Sequence, residues 1–299
     1  MQTRKIKRSV GARIGYGVLI AILTVLAITV LYPFINMIAI SLSDTSAVRS
    51  GSITLFPKVF ADGRYRGANW EAYGMVASNK AVYIGYFNTI KVCVLTCVLS
   101  LLLTAFAAYP MAFSNIRFKK LYTQFIVITM WFSAGTVPNY MVIRQLHLID
   151  SHWALVLCSL LSAYNIIIMR GFFYGIPKAV VESAKIDGAN DFVVLFKIVL
   201  PNSGPILATI GLWIVVGQWN QYQNPLLYIE SDEKRVLQQV LASVISSAGS
   251  SDFDIGGSSL SIEQVRNAAL MFTILPILAA FPFFQKFLIS GVMTGAVKE

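Results

Sequence analysis

Charged side chains are scarce in this sequence. Asp, Glu, Lys and Arg together supply 13% of its 299 residues, while hydrophobic residues supply 56%. A soluble domain carries about 25% charged residues and cannot cover this much apolar surface. The shortage of charge therefore excludes an ordinary soluble domain and predicts an all-α polytopic membrane protein.

Cysteine and histidine are also rare, which limits metal and disulfide chemistry. The three cysteines, Cys93, Cys97 and Cys158, lie within apolar runs and are expected to be small buried hydrophobes. The two histidines, His147 and His152, share one short loop, and a metal site would need further ligands. No metal site is expected.

Motifs for bond chemistry are missing. The sequence has no phosphate loop of the Walker type, no nucleophile elbow and no zinc-protease helix. We therefore expect no catalytic residue and no cofactor. If the protein uses ATP, another chain binds it.

What the sequence does contain is six long apolar runs, each close to the ~20 residues that cross ~30 Å of hydrocarbon. The first run follows a basic tail, but it exceeds 20 residues and lacks a small-x-small cleavage site. These features favour a membrane span over a signal peptide. The six predicted transmembrane helices are 18–40, 84–109, 121–142, 152–173, 204–224 and 267–289.

The positive charge is distributed unevenly between the two sides of these helices. With the N-terminus inside, the inner segments hold 14 basic and four acidic residues, and the outer loops hold nine and ten. Lys and Arg concentrate on the cytoplasmic side of membrane proteins. The net charge of +10 is thus a topology signal and not a nucleic-acid patch, and it places both termini in the cytoplasm.

The polar interval 177–205 is the longest one assigned to the cytoplasm. Its sequence predicts a helix that begins at Pro177, a turn at Gly188 with positive φ, and a second helix, 192–200, capped by Asp191. Pro201 ends that second helix. Its apolar residues share one face, namely Val194, Leu195, Ile198 and Val199. A short helix presented in this way suits insertion into a groove of a soluble partner.

Sequence motifs in this interval and elsewhere resemble one family. The interval contains Glu182-Ser183-Ala184, Asp187-Gly188-Ala189, Leu200-Pro201 and Pro205. This pattern resembles the "EAA" loop of permease subunits in bacterial ATP-binding-cassette importers, with Ser183 where the family usually has Ala. Further motifs resemble the maltose-permease-G-like carbohydrate branch: Phe87-Asn88-Thr89, Pro138-Asn139-Tyr140, Trp219-Asn220 and the C-terminal run from Pro276 through Pro282-Phe283-Phe284-Gln285-Lys286 to Lys298.

The resemblance implies a type-1 importer permease with six transmembrane helices in the bacterial cytoplasmic membrane. It implies a heterodimer with a homologous second permease, two cytoplasmic ATPase subunits, and an extracytoplasmic solute-binding protein that delivers a sugar. The residues expected to couple to the ATPase are Glu182, Ser183, Ala184, Asp187, Gly188, Ala189 and Pro201. The residues expected to contact the binding protein are Ser250, Ser251, Asp252, Phe253 and Asp254.

The predicted layout has a type-1 core preceded by one helix. It comprises a cytoplasmic tail (1–17), the first transmembrane helix (18–40), an external loop (41–82), the core (83–289, five helices with a coupling loop at 174–203 and an external loop at 225–266) and a second cytoplasmic tail (290–299).

Four polar residues within the apolar runs are candidates for the translocation path: Lys91, Asn165, Gln218 and Asn220. Lys91 either extends outward to the interface or faces a wet path. The amides, with the nearby Trp213, Trp219 and Tyr222, suit sugar hydroxyls and ring faces. Alternatively, the amides bridge helices, and Trp219 and Tyr222 belong to an interfacial aromatic belt. In the maltose system the sibling permease makes most of the sugar contacts.

The sequence thus predicts the permease subunit of an ATP-driven, binding-protein-dependent importer of sugars or oligosaccharides. One alternative is an ion-driven secondary transporter, which would want carboxylates inside the spans, where this sequence has none. An intramembrane enzyme would need a nucleophile–base set that is not evident. A third alternative is the same machinery carrying another solute.

Overall fold

A computed structural model describes residues 10–51, 55–61, 64–65, 67–114, 117–247 and 260–296. The helices that precede the coupling loop are α1 (Val10–Ser41), α2 (Thr45–Arg49), α3 (Glu71–Ser78), α4 (Lys80–Phe113), α5 (Lys119–Thr129), α6 (Thr136–Gln145), α7 (His152–Cys158) and α8 (Ala163–Tyr174). Those that follow are α9 (Lys178–Ile186), α10 (Asp191–Val194), α11 (Gly204–Trp219), α12 (Gln223–Tyr228), α13 (Leu237–Ser247) and α14 (Ile262–Ala296). Two strands of two residues each, Phe60–Ala61 and Arg64–Tyr65, pair antiparallel.

The contacts divide the chain into two units. The first comprises Met1–Ser78 and Val244–Phe272, and the second comprises Asn79–Ser243 and Thr273–Glu299. Each unit has its own set of internal hydrogen bonds.

In the first unit, the end of α1 is fixed by buried polar side chains. The Gln264 amide donates to the carbonyl of Ser43, and its oxygen accepts from Thr45 Oγ1 at 2.7 Å. The Ser43 hydroxyl accepts the backbone N–H of Lys58 at 3.0 Å. By contrast, the apolar stretch Ile14–Ser41 of α1 has none of its most hydrophobic window buried within the chain. Its apolar faces are therefore available to lipid or to another chain.

In the second unit, α4 is the central helix and packs on α8 and α11. Its buried stripe consists largely of small residues, including Thr96, Ser100, Thr104, Ala105 and Ala108. Small side chains let membrane helices approach closely. The thiols of Cys93 and Cys97 point at the carbonyls of Val215 and Gly211 on α11, at 3.8 and 3.9 Å. Cys93 is buried and Cys97 half-buried, but Cys158 is exposed, so the prediction of burial is wrong for Cys158.

Two of the motifs that carried the resemblance hold this unit together. The Asn88 amide donates to the carbonyls of Glu233 and Arg235, at 2.9 and 3.0 Å, and Thr89 Oγ1 accepts the N–H of Leu237 at 2.9 Å. Trp219 is buried against Tyr86, with ring centroids 6.0 Å apart. Trp219 is therefore covered by protein, unlike a residue of a lipid-facing aromatic belt.

The described residues contain three helices long and apolar enough to cross a membrane, or up to five if each bent pair is one span. The prediction of six is therefore not confirmed. Helices α7 and α8 meet at 55°, and the segment Asp191–Val199 meets Pro201–Trp219 at 43°. The second bend has a clear cause: Pro201 has no N–H for the carbonyl four residues earlier, and Leu195–Val199 forms a π-helix before it.

The single helix predicted over 121–142 is absent from the structure. Helix α5 ends at Thr129 and α6 begins only at Thr136. Gly135 precedes α6 with φ of +84°, a conformation that interrupts a helix. Pro138 lies in the first turn of α6, where a missing N–H is tolerated. Residues 121–142 are apolar enough for a membrane span, but hydropathy does not reveal the interruption between α5 and α6.

Candidate coupling loop and cavity

Helix α9 ends in a turn that requires glycine. Gly188 has φ of +85°, as predicted. Its N–H donates to the carbonyl of Lys185 at 3.1 Å, and the N–H of Ala189 donates to Ala184 at 3.0 Å. This pair of hydrogen bonds is the Schellman motif, which closes a helix through one left-handed residue. The Asp187-Gly188-Ala189 motif thus fixes the direction in which the chain leaves α9.

The second arm of the loop begins one residue earlier than predicted. Asn190, not Asp191, is the N-cap, and its side-chain oxygen accepts the N–H of Val193 at 2.9 Å. Asp191 instead lies in the first turn of α10. Its carboxylate pairs with Lys185 at 2.8 Å and accepts the Tyr109 hydroxyl at 2.9 Å. The first turn of α10 is therefore tied both to α9 and to α4.

The apolar face of the second arm is packed into the protein core. Val194 and Val199 are completely buried and Leu195 nearly so, while Ile198 is half-buried. They share one cluster with residues of α4, α8 and α11, among them Ala108, Phe173 and Ile210. The second arm is thus part of the protein core and is not a free helix on the membrane surface.

The surface of α9 is open. Glu182 and Ser183 are exposed, and Ile186 is 86% exposed, which is unusual for an isoleucine in a helix. The Ser183 hydroxyl donates to the carbonyl of Ala179 at 2.8 Å, so it needs no external partner. Within the described residues, Glu182 takes part in none of the ion pairs. The expected coupling residues Asp187 and Pro201 are also exposed, while Ala184 and Ala189 are half-buried.

A cavity of about 530 Å³ opens between the α7–α8 break and α11. It brings together two of the four candidate path residues, Asn165 and Gln218, which are 8% and 7% exposed. The Gln218 amide donates to Thr96 Oγ1 at 3.0 Å and to the Leu155 carbonyl at 3.3 Å. Gln218 therefore both bridges helices and lines the cavity.

The other two candidates lie elsewhere. Asn220 is exposed and donates to the carbonyl of Val216 at 2.9 Å, within its own helix, and it does not line the cavity. Lys91 is exposed on a face of α4 that also carries Phe87, Ile90 and Val94. An apolar face suits a lysine that extends its ammonium toward the interface.

The cavity wall combines aromatic rings with neutral polar groups. Tyr164 and Trp213 lie with ring centroids 5.6 Å apart and are both partly exposed. The side-chain oxygen of Gln221 is buried and has no hydrogen-bond partner in the described part of the chain, while the side-chain nitrogen donates to Ser159 Oγ at 3.4 Å. None of the described residues that line this cavity is charged. The arrangement can bind an uncharged polar ligand that has a flat face and donates hydrogen bonds.

Sequence reasoning missed Tyr164, whose partner Trp213 is distant in the sequence. The residues expected to contact a binding protein, Ser250, Ser251, Asp252, Phe253 and Asp254, lie outside the described residues. The described residues contain no group of His, Cys, Asp and Glu that could hold a metal ion.

A cluster around Asp150 joins the α6–α7 loop to the segment after α12. Its carboxylate accepts the backbone N–H groups of Glu230 and Ser231, at 3.0 and 2.9 Å, and the Lys234 ammonium at 2.7 Å. The adjacent His152 ring nitrogen lies 2.9 Å from the Lys234 carbonyl and donates to it. The hydrogen bonds from Lys234, and then those from Ser231, hold the pKa of Asp150 well below its ordinary range.

This cluster predicts an acid-sensitive contribution to stability. A depressed carboxyl pKa contributes stability above the ordinary value of 3.8, and the contribution is lost as the pH falls through the lowered pKa. We expect Asp150→Asn to lower the melting temperature of the purified protein at pH 7 by about 2–4 °C. The difference from wild type should shrink in acid. Asp232→Asn, at a carboxylate that is 82% exposed, is the control and should change little. Equal effects of both variants would contradict the role of Asp150.

Comparisons with known proteins agree on one family. The family model described as binding-protein-dependent transport system inner membrane component matches residues 94–294. The chain is 34% identical over 280 residues to the polygalacturonan/rhamnogalacturonan transport system permease protein YtcP of Bacillus subtilis, covering 92% of this chain and 95% of that one. It is 34% identical to Protein LplC of the same organism, covering 91% and 90%.

A solved structure has the same fold. It is the crystal structure of a bacterial ABC transporter involved in the import of the acidic polysaccharide alginate. One of its chains is 32% identical to this one with a TM-score of 0.85, over 94% of this chain and 99% of that chain.

Proposed function

We infer the function from one premise: the chain belongs to the family of binding-protein-dependent transport system inner membrane components, and it is the permease subunit of such an importer. We propose that it forms half of a translocation pathway for sugars or oligosaccharides. Relatives named as permeases for polygalacturonan/rhamnogalacturonan and for arabinooligosaccharides support this substrate class. The uncharged, amide- and ring-lined cavity also supports it. The same machinery carrying a non-sugar solute is the remaining alternative.

The proposed assembly contains four further components. They are a homologous second permease subunit, two ATPase subunits on the cytoplasmic side, where ATP hydrolysis takes place, and an extracytoplasmic solute-binding protein. We propose a bacterial cytoplasmic membrane location with both termini inside, as the distribution of Lys and Arg indicates. Six crossings and the layout given above, including a binding-protein contact at Ser250–Asp254, remain part of this proposal.

The observation that carries the proposal is the construction of the coupling loop. Its first arm, α9, presents an exposed carboxylate and an exposed isoleucine, Glu182 and Ile186, as a helix that inserts into a partner's groove would do. Its second arm is buried against α4, α8 and α11. When the ATPases close on ATP, a push on α9 would pass through the Gly188 turn into the helices that line the cavity. The pathway would then alternate between outward and inward access.

The decisive experiment is reconstitution with candidate ATPases, a second permease and a binding protein. We expect ATP hydrolysis that rises when the loaded binding protein is added, together with uptake of its sugar into proteoliposomes. An assembled complex whose hydrolysis never responds to any candidate binding protein would overturn the proposal.

Reversing the charge at Glu182 should separate assembly from activity. A charge-assisted hydrogen bond across an interface contributes about 1.5–3 kcal/mol, so we expect Glu182→Lys to reduce stimulated hydrolysis by at least about tenfold. Glu71→Lys reverses the charge of an exposed glutamate in the first turn of α3 and should leave hydrolysis unchanged. If Glu182→Lys is as active as Glu71→Lys, Glu182 does not contact the ATPase.

A further inference from the structure

Two cations share one tyrosine where α4, α5 and α8 meet. The Lys119 ammonium lies 5.5 Å from the centroid of the Tyr174 ring, and the Arg170 guanidinium carbon lies 5.1 Å from it. Arg170 also donates to the Tyr174 oxygen at 3.0 Å and to Thr123 Oγ1 at 3.1 Å. Because both distances are measured to the same ring centroid, the two positive charges can be at most about 11 Å apart.

Among the described residues, every group that these cations contact is neutral. Lys119 donates to the carbonyls of Ala112 and Ser114, at 3.3 and 3.4 Å. The ion pairs of the described residues involve Lys185, Lys234 and Arg235, and no carboxylate of a described residue lies within 4.0 Å of Lys119 or Arg170. Both side chains are half-buried, unlike ordinary surface cations. Half-buried charges of one sign are costly unless an anion compensates them.

The surroundings indicate what kind of anion fits. Helix α5, which carries Lys119, has no buried residue. Tyr122, one turn after Lys119, is 56% exposed, and Leu121 and Phe125, on the opposite face of α5 from Lys119, are 63% and 67% exposed. In the orientation proposed above, this site lies at the cytoplasmic boundary of the membrane. A phospholipid whose phosphate meets these cations would have apolar α5 side chains on the same helix for its acyl chains to contact. A free phosphate would gain nothing from the apolar residues.

We propose that Lys119, Arg170 and Tyr174 bind the phosphate headgroup of an anionic phospholipid in the cytoplasmic leaflet. Basic sites between membrane helices on this side are suited to anionic headgroups. Only the leaflet assignment rests on the orientation under the proposed function. The chemistry of the site does not depend on transport.

The test compares lipid retention by the assembled complex. The complex is transferred to nanodiscs of mixed phosphatidylglycerol and phosphatidylcholine, extracted in mild detergent, and weighed by native mass spectrometry. We expect wild type to retain phosphatidylglycerol selectively and the double variant Lys119→Gln/Arg170→Gln to retain at least about tenfold less. Arg144→Gln, at an exposed cation in the last turn of α6, is the control and should retain as much as wild type.

Additional measurements keep the outcome decisive. If the double glutamine variant fails to assemble, the charge-preserving variant Lys119→Arg/Arg170→Lys takes its place in the test, and it should retain phosphatidylglycerol. Equal retention of both lipids by wild type would overturn the proposal. So would displacement of phosphatidylglycerol by inorganic phosphate alone. If the double glutamine variant loses the ATPase subunits but retains as much phosphatidylglycerol as wild type, the cluster is a protein contact and the proposal is overturned. Failure of sugar-dependent ATP hydrolysis with lipid retention intact would overturn the transport function and leave the lipid site standing.

Discussion

Gly188→Val should abolish the stimulation of ATP hydrolysis by the binding protein while the complex still assembles in the membrane. At Gly188 the backbone has φ of +85°, which a β-branched residue adopts only with severe strain. An added Cβ would have no atom within 4 Å, so crowding contributes nothing and the backbone conformation alone decides the effect. If the backbone relaxed this strain, the chain would leave α9 in another direction, and a movement of α9 would no longer be transmitted to the second arm.

A series of substitutions at this position tests the explanation. A left-handed conformation costs an ordinary L-residue about 1–2 kcal/mol, so Gly188→Ala should lose about tenfold in stimulation. Asn tolerates the left-handed conformation, so Gly188→Asn should keep most of the stimulation of ATP hydrolysis. Stimulated hydrolysis should decrease in the order Gly, Asn, Ala, Val at position 188, while the amount of assembled complex stays similar. If Asn is as inactive as Val, the position needs glycine for a reason other than φ, such as close approach of the ATPase.

Removing the ring of Trp213 should impair sugar uptake and leave the coupling to ATP intact. If the Tyr164–Trp213 pair packs against a sugar ring, Trp213→Ala removes a contact worth about 1.5 kcal/mol or more, and the uptake rate should fall about tenfold. Trp213→Phe keeps a ring and should retain most activity. Trp153→Ala removes a tryptophan that is 49% exposed and lies outside the cavity, so it is the matched control.

Gln221→Leu provides an independent test of the same cavity. The Gln221 side-chain oxygen has no partner among the described residues, so its loss should cost little stability. If that oxygen accepts a sugar hydroxyl, uptake should fall by about five- to tenfold. Gln218→Leu is less informative because it also breaks hydrogen bonds to Thr96 and Leu155. Normal uptake by both Gln221→Leu and Trp213→Ala would show that these two side chains do not bind the sugar.

Local features of the coupling loop could be predicted from the sequence because they depend on a few adjacent residues. The turn at Gly188 follows from one glycine after a helical segment. The N-cap was displaced by one residue because Asn190 and Asp191 are both good caps, and only the structure shows which side chain reaches an N–H. The apolar face of 192–200 was also correct. Hydrophobicity alone could not tell whether lipid or the protein core covers that face.

The cavity and the broken spans depend on tertiary contacts. Asn165 and Gln218 stood out as amides within apolar runs, and the structure brings them to one cavity. Tyr164 and Trp213 meet across separate helices, and no local pattern marks such a pair. The breaks near Gly135 and between α7 and α8 leave the mean hydropathy almost unchanged. A count of apolar runs therefore predicted six uninterrupted helices where the described structure has interruptions.

Because of the break between α7 and α8, the start of a helix lies beside the cavity, and its backbone N–H groups add a partial positive charge that the cavity side chains do not supply. Helix α8 begins at Ala163, beside the cavity-lining Ser162 and Tyr164. The first N–H groups of a helix lack carbonyl partners within it and carry a partial positive charge. The start of α8 therefore places partial positive charge beside the cavity, although none of the described residues that line it is Lys or Arg. A hydroxyl oxygen of the proposed sugar could approach this end of α8 without meeting a fixed cation strong enough to retain it, and weak binding favours passage.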